Sequence, residues 1–194
     1  GESLRGVGGL DDAGRKKLAQ PAPERMDAAR ARQWFAHLGD LWVASLDGAP
    51  AVRVSETPTV PEQEIDFSPD GAHLAFVAAN DLWVGDALRG GARRVTTDGG
   101  ADVLNGVLDW IYQEELYGRG NFRGWWWSPD SLAIAYLRLD QARVPRWTLV
   151  DDAAEPHVVE TSPYPRAGEP NPVASLRTHR LDQPEAVGVV DLSA

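Results

Sequence analysis

The chain has 194 residues, enough for one ordinary domain or a piece of a larger one, and 43% of them are hydrophobic, which excludes wholesale disorder. Its 29 acidic and 19 basic side chains leave a formal charge of −10, the wrong sign for gripping nucleic acid or an anionic membrane. Cysteine is absent, which rules out disulfides and thiolate metal sites, and no run approaches a membrane span or an apolar signal core. An acidic surface suits cationic ligands, and it serves plain solubility equally well.

Residues 1–30 read as a mobile or loosely docked N-terminal extension, polar and rich in alanine, with Pro21 and Pro23 as breaks. A short helix is expected over Asp27 to Phe35. The one methionine, Met26, leaves no initiator, so the expectation is a chain processed or cut from something longer.

From residue 31 onward the pattern turns to short β-type runs between turn residues. Glu64-Ile65-Asp66-Phe67 alternates as a strand and ends in Ser68-Pro69-Asp70-Gly71, where Pro presets φ and Gly accepts a positive one. Leu74-Ala75-Phe76-Val77, Asp81-Leu82-Trp83-Val84 and Arg94-Val95-Thr96 follow. Four such strands match one propeller blade.

The unit recurs. Asp40-Leu41-Trp42-Val43 repeats Asp81-Leu82-Trp83-Val84, with Val52-Arg53-Val54 as the strand after it, and Ser128-Pro129-Asp130 repeats Ser68-Pro69-Asp70. Ile134 to Leu137 takes the second-strand place and Trp147 to Val150 the third. Ser131 stands where the repeat has Gly71, which predicts a strained turn if φ is positive. The expected class is all-β: an incomplete propeller over residues 31–194, built of four-stranded antiparallel blades with a short helical insertion carrying a Glu-Glu pair. Two units are nearly complete, at 61–97 and 122–160; one partial unit precedes them and another runs from Val173 to Leu192. A β-sandwich is the alternative. Fewer than about four blades cannot close a propeller, so exposed edges predict an oligomer, or poor order at both ends. The repeat looks like the TolB-type blade unit.

The stretch from Leu108 to Asp130 interrupts the repeat, and it is read as falling between a fourth strand and the next first strand. A helix over Asp109 to Tyr117, stopped by Gly118, brings the adjacent Glu114 and Glu115 toward one side. Paired carboxylates repel unless a cation lies between them, and an ammonium can divide its donors between two acceptors. Without further context, a Glu-Glu pair in an acidic protein is a solvated surface feature.

Context is supplied by Asp109-Trp110, Tyr112, Glu114-Glu115 and Trp126-Trp127-Ser128-Pro129, and by Tyr164-Pro165-Arg166-Ala167-Gly168-Glu169-Pro170-Asn171-Pro172. In order and spacing these closely resemble the N-terminal propeller of the dipeptidyl peptidase IV family in the prolyl oligopeptidase clan. The resemblance implies that Glu114 and Glu115 hold the free N-terminal ammonium of a peptide, so that a serine at a fixed distance releases a dipeptide, preferably after Pro or Ala. Trp110, Tyr112 and Tyr117 become the packing that supports the turn, and Gln113 receives no role. The family's substrate-contacting arginine from an earlier blade has no matching residue to name.

The clan's nucleophile elbow, Gly-x-Ser-x-Gly, does not occur in these residues. His37, His73, His157 and His179 have no neighbouring Ser/Asp constellation and no metal-ligand spacing. The isolated segment is therefore expected to be inactive, with no cofactor and no catalytic residue of its own. Its expected partners are a peptide with a free N-terminus, the α/β-hydrolase domain of a longer parent chain and further copies of itself, with no nucleic acid and no membrane segment. Compartment is left open. The competing reading is a TolB-like propeller used only as an interaction scaffold; an acylaminoacyl peptidase or oligopeptidase relative fits less well, having no need of the double glutamate.

Overall fold

The structure, a computed structural model, describes residues 2–57, 59–151 and 158–190. His157 and the Leu192 end of the last expected unit lie outside these residues.

Three antiparallel sheets follow one another along the chain. The first contains β1 (Arg32–His37), β2 (Asp40–Ser45) and β3 (Val52–Arg53). In the second, β4 (Gln63–Phe67), β5 (His73–Ala78), β6 (Asp81–Asp86) and β7 (Ala92–Arg94) pair in sequence order. The third has β10 (Ala133–Asp140) at its centre. On one side β10 pairs with both β8 (Val103–Asn105) and β9 (Trp125–Trp127); on the other lie β13 (Val173–Arg180) and then β14 (Gln183–Val189). A separate hairpin joins β11 (Arg146–Asp151) to β12 (Val158–Pro163).

Period-two patterning explains how the sheets pack. On β5, Leu74, Phe76 and Ala78 face the first sheet, where they meet Leu41, Val43 and Val54. The alternate residues Ala75 and Val77 face the third, against Val107, Trp125, Ile134 and Tyr136. A strand buried on both sides is nearly continuously apolar, as β5 is.

The DLWV strings also carry the polar fastening of each blade. Asp40 and Asp81 are buried and pair with Arg53 and Arg94 respectively. Asp81 additionally accepts from the Thr96 hydroxyl at 2.7 Å and the Gly99 N–H at 2.9 Å. In the first sheet, Asp40 accepts from the Thr57 N–H at 2.8 Å. Ser55 and Thr96 take the backbone N–H of Leu41 and Leu82. Each pair thus closes the same buried donor and acceptor account one blade apart.

The structure corrects several expectations from sequence. Asp27 to Phe35 is not helical. The helix, α1, is Asp12–Leu18, capped by the Asp11 side chain, and Arg32 onward is strand. Asp27 opens a third copy of the blade turn. Asp27, Ser68 and Ser128 each donate N–H to the carbonyl five residues on, and each accepts from the N–H three residues on. That third residue is Arg30, Gly71 or Ser131, with φ of 53°, 70° and 62°. Asp27 Oδ1 accepts from the Ala31 N–H, the bond that Asp70 and Asp130 supply in the other two turns. Met26 bridges Gln33, so the first blade reaches into the N-terminal segment. Within that segment Leu4 and Val7 are buried against Phe35 and Ala44.

Trp147 to Val150 is not the third strand of its blade. It belongs to β11, which among the described residues pairs with β12 alone, and β13 fills the third place. The turn contacts agree: Leu46, Ala87 and Leu181, each just past a third strand, donate N–H to Ala31, Ala72 and Leu132 of the three blade turns. A unit ending at 160 therefore stops short of its own third strand, and Val173 onward completes that blade.

Candidate functional site

The acidic insertion does not lie between blades. It interrupts the first strand of the third blade, which is laid down as β8, broken at Gly106, and resumed as β9. The break is tight: Gly124 donates N–H to the Gly106 carbonyl at 3.0 Å, while Leu137 of β10 accepts from the Gly106 N–H at 2.9 Å and donates its own N–H to the Gly124 carbonyl at 2.8 Å. Val107 bridges Arg123, and Leu108 donates to Phe122 at 2.8 Å, so residues 109–121 leave through a narrow neck. Gly106 has a φ of 74°, and a Cβ there would press within 3.3 Å of Trp125, so only glycine fits without strain.

Beyond the neck, Asp109 caps a helical turn by accepting from the Tyr112 N–H at 2.9 Å. Tyr112–Leu116 then winds as a π-helical turn, closed by the Tyr117 N–H on Tyr112 O at 2.8 Å. Wide turns of this kind are rare and concentrate at functional sites. Gln113 is buried, and its Oε1 accepts from the Gly120 N–H at 2.9 Å, clamping the returning loop to the turn. Trp110 lies edge-on to Tyr164 with ring centroids 4.9 Å apart, and Tyr112 stacks over Tyr117 at 6.5 Å. Burial raises the Asp109 carboxyl above its ordinary value, against the Tyr112 N–H and its own backbone N–H. Tyr112 is raised too, by burial first and then by the Asp109 and Tyr117 charges.

Glu114 and Glu115 meet different surroundings. The Glu114 side chain is 16% exposed and pairs with Arg119, whose own side chain is 86% exposed. Glu115 is exposed and has no ion pair among the described residues.

The neck is anchored to the preceding blade by Arg123. Its guanidinium reaches Asp66 at 2.7 Å, the Ile65 carbonyl at 3.5 Å and Glu64 at 4.0 Å, and it covers the Trp125 ring at 4.8 Å. Trp125 Nε1–H donates to the Glu64 carbonyl at 3.1 Å. Glu64 has a φ of 52°, within a register shift of β4 between Gln63 and Asp66. A non-glycine residue in that region is strained and is held there by its neighbours. Its carboxyl is raised by burial, with Arg123 opposing.

Compared with known proteins, residues 31–194 match the model of the dipeptidyl peptidase IV N-terminal region. The chain belongs to this family. Within it, the chain is 34% identical over 161 residues to a protein of Podospora anserina named probable dipeptidyl-aminopeptidase B, covering 76% of the chain and 17% of that protein. It is 36% identical over 134 residues to a protein of Aspergillus flavus named probable dipeptidyl peptidase 4, covering 63% and 17%. The crystal structure of Porphyromonas gingivalis dipeptidyl peptidase 4 superposes with a TM-score of 0.73 at 25% identity, over 87% of this chain and 25% of that one. The dipeptidyl peptidase IV N-terminal region described here thus spans about a sixth of the length of these curated relatives.

For this N-terminal region, the sequence singled out Glu114, Glu115, Trp110, Tyr112 and Tyr117, and all five lie on one wound segment. It gave no role to Gln113, Arg119 or Arg123. Polar residues beside a double glutamate read as solvated surface, and only the closing of the loop exposes their bonds. Among the described residues, no group of three or more His, Asp or Glu is placed to hold a metal, and no helix is long and apolar enough to cross a membrane.

Proposed function

We propose that this chain is the substrate-recognition and gating part of a dipeptidyl peptidase IV-like serine exopeptidase. Glu114 and Glu115 hold the N-terminal ammonium of the peptide. A hydrolase domain in the same longer polypeptide supplies the nucleophile. Family membership supports the peptidase class, and the names of the relatives agree with it. The observation that carries the glutamate role is a carboxylate pair on a braced turn, one member already holding a cation and the other exposed.

An ammonium offers three donors to two carboxylates, and its pKa of about 8 keeps it largely charged at neutral pH. The contribution is positional. A peptide tethered at its first atom presents its second peptide bond at one distance, which removes orientational freedom before the chemical step. Trp110, Tyr112 and Tyr117 hold the turn that carries the pair.

The test is the full-length protein with Glu114→Ala and Glu115→Ala together, on a Gly-Pro chromogenic dipeptide. Loss of most of kcat/KM, on the order of a hundredfold for a charge-assisted anchor, in a protein that stays folded supports the reading. Full activity in the double variant would leave the scaffold reading in its place.

A further inference from the structure

We infer that Arg119 is a built-in competitor for the ammonium site: it neutralises Glu114 while the site is empty and leaves when a peptide N-terminus arrives. This rests on the role proposed above for the glutamate pair.

Three observations carry it. First, the half-buried Glu114 carboxylate is already occupied, and its occupant is a guanidinium from the same loop. Second, that guanidinium belongs to a side chain 86% exposed, so little packing holds it in place. Ion pairs with one exposed partner are individually weak. Third, Arg119 sits between Gly118 and Gly120, with φ of 93° and 81°, and a Cβ on either glycine would meet nothing within 4 Å. The loop therefore has open space on both sides of the arginine, while Gln113 keeps its returning end fixed.

The chemistry gives this arrangement a purpose. Two adjacent unneutralised carboxylates repel each other and attract any cation. A tethered guanidinium removes much of that charge at an effective concentration in the mM range for so short a linker, so a stray cation gains little by binding. A peptide ammonium gains more, because it bonds both carboxylates, whereas Arg119 engages Glu114 alone among the described residues. Selection for a free α-amino group is thereby sharpened, at the expense of affinity. Arginine stays charged at every relevant pH, so the competitor persists as the peptide loses its proton above pH of about 8.

Steady-state kinetics of the full-length peptidase on a Gly-Pro chromogenic dipeptide test this directly. Arg119→Gln should lower KM about two- to fivefold, the size an exposed ion pair carries, with kcat unchanged and with KM rising more steeply with salt than in wild type. Arg119→Lys, which keeps the charge, should stay near wild type. On a Glu114→Gln background, Arg119→Gln should have no effect on KM. An unchanged or raised KM in Arg119→Gln alone overturns the inference. The underlying site is tested separately by Glu114→Gln with Glu115→Gln: if that pair leaves KM unchanged, the ammonium site itself fails, whatever Arg119 does.

Discussion

At the level of single residues, two sets of carboxyls act in opposite directions. Asp70 and Asp98 would be raised by burial, yet hydrogen bonds from Ser68 and the Ala72 N–H, and from Arg138 and Asn105, outweigh it and hold them below the ordinary aspartate value. Such groups stabilise the fold while ionised, and that contribution is lost as pH falls below about 4. Asp109 and Glu64 are held high by burial. Their ionisation is a cost at neutral pH, relieved as pH falls through their raised values. Asp109→Asn keeps an acceptor for the Tyr112 N–H and removes the buried charge. Thermal denaturation should therefore show this variant no less stable than wild type at pH 7, with any advantage shrinking toward pH 4. A clear loss at pH 7 would mean that the charge on Asp109 is needed to cap the turn.

Among the elements, the blade fastening and the insertion neck are the places to probe. Asp81 is buried and takes four donors, from Arg94, Thr96, Gly99 and Asn105. Asp81→Ala leaves several buried donors unpaired, and chemical denaturation should report a loss of about 3 kcal/mol. A loss below about 1 kcal/mol would show that water replaces the carboxylate. The repeated strings were legible because Ser-Pro-Asp-Gly and Asp-Leu-Trp-Val each perform a fixed bonding task. The first copy of the turn was not legible, because Asp27 does with one side chain what Ser68 and Asp70 do with two. The third strand cannot be placed from sequence because a hairpin separates β10 from β13, and pairing across such a gap leaves no local pattern. The split first strand was hidden in the same way, since β8 and β9 adjoin only through β10.

Over the whole molecule, the described chain presents a long outer strand and an apolar surface. Val187 and Val189 on β14 are 45% and 67% exposed, and Trp126 on β9 is 41% exposed. Unpaired strand edges of this kind pair with other chains. Sedimentation of the isolated 194-residue chain should therefore show dimers or larger species at micromolar concentration, and a clean monomer would contradict this. Of the proposed site, the glutamates can be named from the order and spacing that carry the family resemblance, whereas the cation beside them cannot. Arg119 is five residues from Glu114 in sequence, and it meets it only because a π-helical turn brings the chain back.

The proposed reading of a charged peptide N-terminus is open to a direct test. The direct measurement is kcat/KM of the full-length protein on one dipeptide substrate with a free amine and on the same substrate N-acetylated. Acetylation should abolish most turnover in wild type and cost the Glu114→Ala/Glu115→Ala variant little further. Equal turnover of both substrates by wild type would contradict it.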